Sequence, residues 1–273
     1  MPPALPIIAH SVNGAVSNAT VSAGKVTNAT VSAGMAPVLT DLIGRRVAAL
    51  QSLLRNATPE EIIAAAQQAV APGGLAIVSS FGNESAVMLA AAAAVDRSLP
   101  VLIVDTGYLF PETLAYRDTL QRRLGLTDVR TLGPDGEEIT AEDAEGDLHT
   151  RDPDACCALR KVRPLAKALA GFEGWANGRK RFQGSSRTGI PVVEADGLRL
   201  KFNPLALLTP EAVSERFSRL DLPPHPLEKF GFRSIGCMPC TTATRPGEDP
   251  RAGRWRGRGK VECGIHTELA MKA

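Results

Sequence analysis

The sequence predicts an α/β protein built on an open, mostly parallel twisted sheet flanked by helices. Three short apolar runs, Leu75–Val78, Val101–Val104 and Val129–Leu132, have the length and composition of buried strands. Helical segments separate these runs with short connections, and that alternation is typical of parallel sheets. Ligands bind beyond the carboxyl ends of such strands, so the loops after the runs are the first candidates for a functional site.

Helices are expected before and between the strands. Thr58 precedes Pro59 and, three positions on, Glu61, which is the pattern of a capping box with proline at the first helical position. Apolar periodicity and proline or glycine boundaries indicate the other helices. The predicted helices span residues 42–55, 59–70, 84–95, 111–125, 156–170 and 210–220.

Composition divides the chain into three parts. Residues 1–40 carry a repeat, VSNATVSAG followed by VTNATVSAG, that is too polar to bury a core, and we expect a disordered tail there. Residues 41–233 form the α/β domain, which also contains a strand at 172–177 and a hairpin at the Asp196-Gly197 turn. Residues 234–273 are rich in glycine, proline and arginine, and we expect a loop-rich segment.

Charge and hydropathy exclude several classes of protein. The net charge of +2 is too small for general nucleic-acid binding. No apolar run reaches the roughly 18 residues of a membrane span, and the first residues lack the basic start of a secretory signal. We therefore expect a cytoplasmic protein without nucleic-acid or membrane partners. Basic residues still cluster locally, which suits a small anion: Arg245, Arg251, Arg254, Arg256, Arg258 and Lys260.

The first candidate site is the loop at residues 79–85, between the first predicted strand and the next helix. Small residues let backbone N–H groups approach a ligand, and a helix N-terminus favours an anion. A tight turn with a serine or asparagine cap is the alternative, and the missing Gly-Lys-Ser/Thr ending excludes a Walker A loop. Asp105 and Thr106 follow the second strand at the same edge of the sheet, either in this site or as a turn before Pro111.

Four of the five cysteines form two pairs. An odd cysteine number in a chain without a secretory signal disfavours a disulfide framework. A C-x-x-C loop commonly supplies two metal ligands and a second pair completes four, although zinc ligation or a redox-active C-x-x-C remain alternatives. Lys161 lies one helical turn after the first pair. The pairs are Cys156 with Cys157, and Cys237 with Cys240.

The fifth cysteine, Cys263, stands alone beside basic residues. Nearby positive charge lowers the pKa of a thiol and makes the thiolate available as a nucleophile, whereas the alternative is an inert surface thiol. Arginines cluster at residues 179–187 and 251–254. Planar guanidinium groups suit sulfate and phosphate oxygens, although single arginines are commonly solvated surface residues.

Five segments in order along the chain resemble the adenylyl sulfate and phosphoadenylyl sulfate reductase family of the adenine-nucleotide α-hydrolase-like superfamily. The resemblance covers residues 75–266 and departs at Asn177, at Phe182 and at Leu208, where a tryptophan is usual. The segments are SFGNES at 80–85, DTGYLFPET at 105–113, CCALRK at 156–161, IGCMPCT at 235–241 and ECGIH at 262–266.

The resemblance implies roles for four of the five segments. Cys263 would be the catalytic nucleophile, and Cys156, Cys157, Cys237 and Cys240 would hold a [4Fe–4S] cluster. Residues 41–233 become a nucleotide-binding domain, and residues 234–273 become a cluster-binding and catalytic segment. The residues expected to bind the nucleotide and its oxyanions are Ser79, Ser80, Phe81, Gly82, Asn83, Glu84, Ser85, Lys161, Arg179, Arg187, Arg251, Arg254 and His266.

The activity that the resemblance implies is reduction of adenylyl sulfate to sulfite and AMP in sulfate assimilation, through a Cys263 S-sulfonate that thioredoxin resolves. Phosphoadenylyl sulfate is the alternative substrate. An ATP pyrophosphatase of the same superfamily is a further alternative, although Phe81 and Glu84 replace a glycine and an aspartate of its loop. A zinc-stabilised anion-binding module is the non-enzymatic alternative, and homo-oligomerisation is left open.

Overall fold

The computed structural model describes residues 36–266, so most of the predicted tail at 1–40 lies outside the described residues. The first helix, α1 (Ala36–Leu53), begins before the predicted start at residue 42. Described residues from Pro37 onwards belong to one compact unit, in which an isolated antiparallel bridge joins Cys237 of the C-terminal segment to Leu109. None of the described helices combines the length and the hydropathy that a membrane span requires.

The second helix confirms the predicted capping box. In α2 (Pro59–Gln68), Thr58 Oγ1 accepts a hydrogen bond from the backbone N–H of Glu61 at 3.3 Å. The Glu61 carboxylate in turn accepts from the backbone N–H of Thr58 at 2.8 Å. These reciprocal bonds satisfy donors that a helix start leaves unpaired.

The predicted sheet is confirmed, with six strands in the order β3 (Val129–Leu132), β2 (Val101–Val104), β1 (Leu75–Val78), β4 (Gly174–Asn177), β6 (Arg199–Phe202) and β5 (Val193–Asp196). All neighbouring pairs are parallel except β5 with β6, which form the predicted hairpin.

Helices connect the strands as predicted, with two local differences. The predicted helix over residues 156–170 is divided by a π-helical turn at Ala158–Val162, a geometry frequent at functional sites. Two short polar helices, α5 and α6, were not predicted because they show no apolar period. The remaining helices are α3 (Ser85–Val95), α4 (Pro111–Leu124), α5 (Gly136–Glu142), α6 (Leu148–Arg151), α7 (Pro153–Cys157), α8 (Arg163–Leu169) and α9 (Pro210–Arg219).

Both faces of the sheet are buried. Alternate residues of β1 and β2 point to opposite faces, since Ile77 and Ile103 join the larger core with α2 and α3. Ala76 and Leu102 join a smaller core with Trp175 and α8. Because helices cover both faces, the space open to a ligand lies at the ends of the strands.

Candidate active site

A cavity of about 200 Å³ opens at the carboxyl ends of β1, β2 and β4. Val78, Val104 and Asn177, the last residues of those strands, contribute to its walls. The structure therefore brings together segments that are far apart in the sequence, including the predicted nucleophile. The predicted site residues that line the cavity are Ser79, Ser80, Gly82, Asn83, Glu84, Ser85, Lys161, Arg179, Arg187, Arg251, Arg254, Cys263 and His266.

Phe81 differs from the other predicted nucleotide-binding residues, because its side chain is fully buried in the core and is not part of the cavity lining. Its backbone lies in the left-handed region with φ +49°. Ser79 Oγ accepts a hydrogen bond from the Phe81 N–H at 3.1 Å, which supports this turn. The apolar ring in this conformation packs inward and anchors the loop, so a contact of Phe81 with a nucleotide would come from its backbone; its role in binding stays a prediction.

Glu84, at the start of α3, is held by two residues that were not predicted to bind the nucleotide. Lys180 Nζ lies 3.0 Å from Glu84 Oε2, and the Gln183 side-chain amide donates to the same oxygen. Lys180 is almost completely buried, so the ion pair balances a charge inside the protein. These contacts tie the loop after β1 to the segment that carries Arg187.

Glu262, which immediately precedes Cys263, is bound by two predicted anion-binding arginines. Arg187 donates to both carboxylate oxygens, at 2.6 and 2.9 Å, and Arg251 Nη2 lies 3.3 Å away. Burial alone would raise the pKa of Glu262, but Arg187 and Arg251 outweigh it and hold the pKa below its usual value. Glu262 is therefore an anion that anchors the Cys263 segment to the cavity wall.

Arg254 retains donor capacity inside the cavity. Its Nη1 donates to the Ile235 carbonyl at 3.3 Å, and its guanidinium group lies 4.4 Å from the centre of the Trp255 ring. Its buried Nε has no hydrogen-bond partner among the described residues. By contrast, Arg179 donates to Asn177, Asn203 and Glu194, and burial together with Arg187 lowers its pKa to about 10.

A second, smaller cavity lies beside the first and is lined by all four paired cysteines, Cys156, Cys157, Cys237 and Cys240. Each is a free thiol in this structure. Among residues 36–266, no three His, Cys, Asp or Glu side chains converge closely enough to share one metal ion. Cys156 and Cys157 line this cavity from α7, and Cys237 and Cys240 line it from the C-terminal segment.

The surroundings of these thiols shift their pKa values in opposite directions. Burial raises the pKa of Cys156 to about 11 and that of Cys157 to about 12. Burial opposes ionisation of Cys237 too, but Lys161 and a contact of 3.2 Å with Thr106 Oγ1 lower its pKa overall. The cavity therefore favours thiolates where positive charge is close, and a bound cation or cluster would favour them further.

Lys161 lies between the two cavities and lines both of them. It is buried on the π-helical turn, and burial alone would lower its pKa. The nearby sulfurs of Cys237 and Cys263 outweigh that effect and raise the pKa, so the side chain is a cation. The positive charge of Lys161 therefore acts on both the predicted nucleophile and the paired cysteines.

A buried ion pair behind the cysteines was missed by sequence reasoning. Arg160 Nη2 lies 2.6 Å from Asp143 Oδ2, and Arg160 Nη1 donates to the Thr106 carbonyl at 3.1 Å. The guanidinium group also lies 4.5 Å from the centre of the Tyr108 ring. No spacing connects these residues along the chain, because Asp143 lies on a loop whose position depends on tertiary packing.

The fold and the site define an α/β protein that presents a thiol and several cations at the carboxyl edge of a parallel sheet. A solved structure with the same fold is a phosphoadenylyl-sulfate reductase from Candida auris, crystallised as a phosphate complex. The two superpose with a TM-score of 0.62 at 22% identity, over 72% of this chain and 96% of the other.

Residues 74–243 match the phosphoadenosine phosphosulfate reductase domain family, and the chain belongs to that family. An adenosine 5'-phosphosulfate reductase of Mesorhizobium japonicum is 45% identical over 83% of this chain and 89% of its own. An adenosine 5'-phosphosulfate reductase from a Chelativorans species is 50% identical over 71% of this chain and 79% of its own. A phosphoadenosine 5'-phosphosulfate reductase of Gloeobacter violaceus is 41% identical over 77% and 88%.

Proposed function

We propose that this protein is an oxidoreductase that reduces adenylyl sulfate to sulfite and AMP in sulfate assimilation. The observation that carries the proposal is that Cys263 shares one cavity with Lys161, Arg251 and Arg254 at the carboxyl edge of the sheet. The family membership and the names of relatives with 45 and 50% identity agree with it.

The electrostatic demand of the reaction matches this arrangement. A thiolate must approach a sulfate group, and both carry negative charge. Cations that surround the sulfuryl group reduce that repulsion and stabilise the charge that develops on the leaving oxygen. Lys161 is close enough to Cys263 for its charge to act on the thiol, and the Arg254 side chain lines the same cavity.

The chemistry proceeds in three displacements. The Cys263 thiolate attacks the sulfate sulfur, the S–O bond to the phosphate breaks, and AMP leaves with the bonding electrons, so that a Cys263 S-sulfonate remains. A thiolate of an external dithiol then attacks the Cys263 sulfur and expels sulfite. Its second thiol reduces the resulting mixed disulfide, so the dithiol supplies the two electrons and Cys263 is regenerated. Thioredoxin is the dithiol partner that we propose.

The four paired cysteines fit a [4Fe–4S] cluster. Such a cluster is held by four cysteine thiolates, and Cys156, Cys157, Cys237 and Cys240 surround one cavity rather than a single point. A cluster held by these four cysteines would add charge to the cavity that Lys161 also lines, and would thereby tune the electric field at the substrate. The buried Lys161 cation would be compensated by the thiolates on that side.

Phosphoadenylyl sulfate is the second candidate substrate, because a relative with 41% identity bears that name. Sulfite release measured with each sulfonucleotide distinguishes the two. Pyrophosphate release from ATP tests the remaining superfamily alternative, which the buried Phe81 and the paired Glu84 disfavour. We further propose a cytoplasmic protein, and gel filtration would determine its oligomeric state.

Mass spectrometry tests the central step. Protein mixed with adenylyl sulfate and no reductant is expected to gain one SO₃ group on the peptide that contains Cys263. Cys263→Ser should carry no adduct and release no sulfite, while still binding AMP. An unmodified Cys263 peptide under these conditions would refute the proposed mechanism.

A further inference from the structure

We propose that Trp175 and Lys201 are positioning residues that hold the Cys263 segment in its place over the cavity. The inference rests on the proposed function only in taking Cys263 as the nucleophile. Neither residue lines the cavity, so an effect on the reaction passes either through the segment that they contact or through Glu194, which binds both Lys201 and the cavity residue Arg179. The labelling rate of Cys263 reports the first route. We call residues 260–266 the Cys263 strap.

The register of the sheet places two side chains where they contact this strap. We call these two side chains, Trp175 and Lys201, the dock. Trp175 on β4 and Lys201 on β6 are direct partners across a parallel pair, so their side chains share one face of the sheet. Glu194 on β5 is the partner of Lys201 across the hairpin and lies 3.3 Å from its Nζ. Asp196 accepts a hydrogen bond from the Trp175 indole N–H at 2.8 Å. The two docking side chains are therefore held by carboxylates of the edge strand β5, which is adjacent to β6 and one strand beyond β4.

His266, at the end of the strap, occupies the dock through two contacts. Its ring stacks on Trp175 with an angle of 9° between the planes and 6.0 Å between the centres. Its backbone carbonyl accepts a hydrogen bond from Lys201 Nζ at 3.1 Å. Trp175 is fully buried and Lys201 is 3% exposed, so the contacts are shielded from water. Such bonds hold a segment more firmly than exposed ones do.

The remainder of the strap transmits this anchoring to the thiol. Ile265 packs against the core that contains Trp175. Gly264 adopts φ +82°, which turns the chain between the docked residues and Cys263. On the other side of Cys263, Glu262 is bound by Arg187. The nucleophile is thus fixed from both directions, and the dock supplies the C-terminal side.

Lys201→Met tests the proposal because it removes the donor and keeps most of the side-chain length. Lys201→Arg keeps a donor, and Lys229→Met is the matched control on an exposed lysine. The first readout is the rate at which N-ethylmaleimide labels Cys263 in the substrate-free protein, measured by peptide mass spectrometry. The second is kcat and KM for adenylyl sulfate, with iron content as a check on integrity.

We expect Lys201→Met to label several times faster than the wild type, because the strap leaves its dock more often. Its kcat should fall roughly tenfold to a hundredfold, since a displacement of about 1 Å has that scale of effect, while KM changes little. Lys201→Arg should have a labelling rate and a kcat close to those of the wild type. Labelling and kcat equal to those of Lys229→Met would overturn the proposal.

A second variant covers the case in which Lys201→Met does not fold. His266→Ala removes the stacked ring from the strap and leaves the sheet intact, and faster labelling of Cys263 is expected again. Unchanged labelling would overturn the dock. Failure of the dock and failure of the proposed function are distinguishable. If only the dock proposal is wrong, the wild type still transfers SO₃ to Cys263. If the proposed function is wrong, the wild type transfers no SO₃ to Cys263.

Discussion

Gly236 lies so close to Arg254 that a Cβ atom at this glycine would stand 2.3 Å from Arg254 Nη2. The contact involves the end of a flexible side chain, so a methyl group there would move the guanidinium group rather than the backbone. Gly236 also lines the cavity, one residue before Cys237. The absence of a side chain at this position therefore determines where the cation points.

We expect Gly236→Ala to fold but to react poorly. Displacement of Arg254 removes charge stabilisation from the sulfate, and kcat/KM should fall by about tenfold or more. The free energy of unfolding should change by less than about 1 kcal/mol. Gly253→Ala is the contrasting variant, because its Cβ would meet the Thr242 carbonyl at 2.0 Å and backbone would have to move. Unaltered kinetics for Gly236→Ala would contradict the role given to Arg254.

Cys240→Ala should lose bound iron and the brown absorption of an iron–thiolate cluster, because it removes one of the four cavity cysteines. Cys263→Ala is the matched control, since Cys263 lines the other cavity and should keep both properties. Metal analysis and visible absorption of anaerobically purified protein provide the measurement. Full iron content in Cys240→Ala, or zinc in place of iron in the wild type, would speak against the proposed ligand set.

The Arg160–Asp143 pair should be important for stability. Arg160→Met leaves the Asp143 carboxylate buried without its partner, and breaking a buried pair in this way costs about 3–5 kcal/mol. Arg163→Met is the control, because Arg163 pairs with Glu138 and Glu142 near the surface and its loss should matter little. Urea unfolding followed by circular dichroism measures both, and equal effects of the two changes would show that burial of the pair is not what matters.

Stability should decrease in mild acid because of His225. Burial lowers the pKa of this histidine to about 4 from its ordinary value of 6.5. Its Nδ1 accepts a hydrogen bond from the Leu227 N–H, and its Nε2 lies 3.1 Å from Thr113 Oγ1. As the pH falls, the unfolded chain takes up a proton before the folded protein does. The free energy of unfolding therefore falls progressively between pH 6.5 and 4, by about 3 kcal/mol.

His225→Gln should remove this part of the pH dependence, and His149→Gln, at a half-buried position, should retain it. Unfolding free energies measured at several pH values between 4 and 7 provide the comparison. A slope in His225→Gln as steep as in the wild type would assign the acid sensitivity to other groups.

Local sequence determined most of the secondary structure. The apolar runs at Leu75–Val78, Val101–Val104 and Val129–Leu132 became strands at those residues. The capping box at Thr58 and the Asp-Gly hairpin also formed as predicted. These features depend on hydrogen bonds and side-chain alternation within a few residues, so neighbouring residues are sufficient to specify them. The short polar helices α5 and α6 lack an apolar period. α5 buries no residue and begins at a local cap, in which the Asp135 carboxylate accepts a hydrogen bond from the Glu137 N–H at 2.9 Å, and α6 buries Leu148.

For the site, the sequence by itself determined which segments carry chemistry, because their residue types and order are distinctive. Only the tertiary structure decided how those segments meet. It turned Phe81 into the core, set Lys161 between two cavities, and brought Trp175 and Lys201 side by side beneath His266. The physical reason is that strand register and burial join residues far apart in the chain, and no local pattern records which residues will become neighbours.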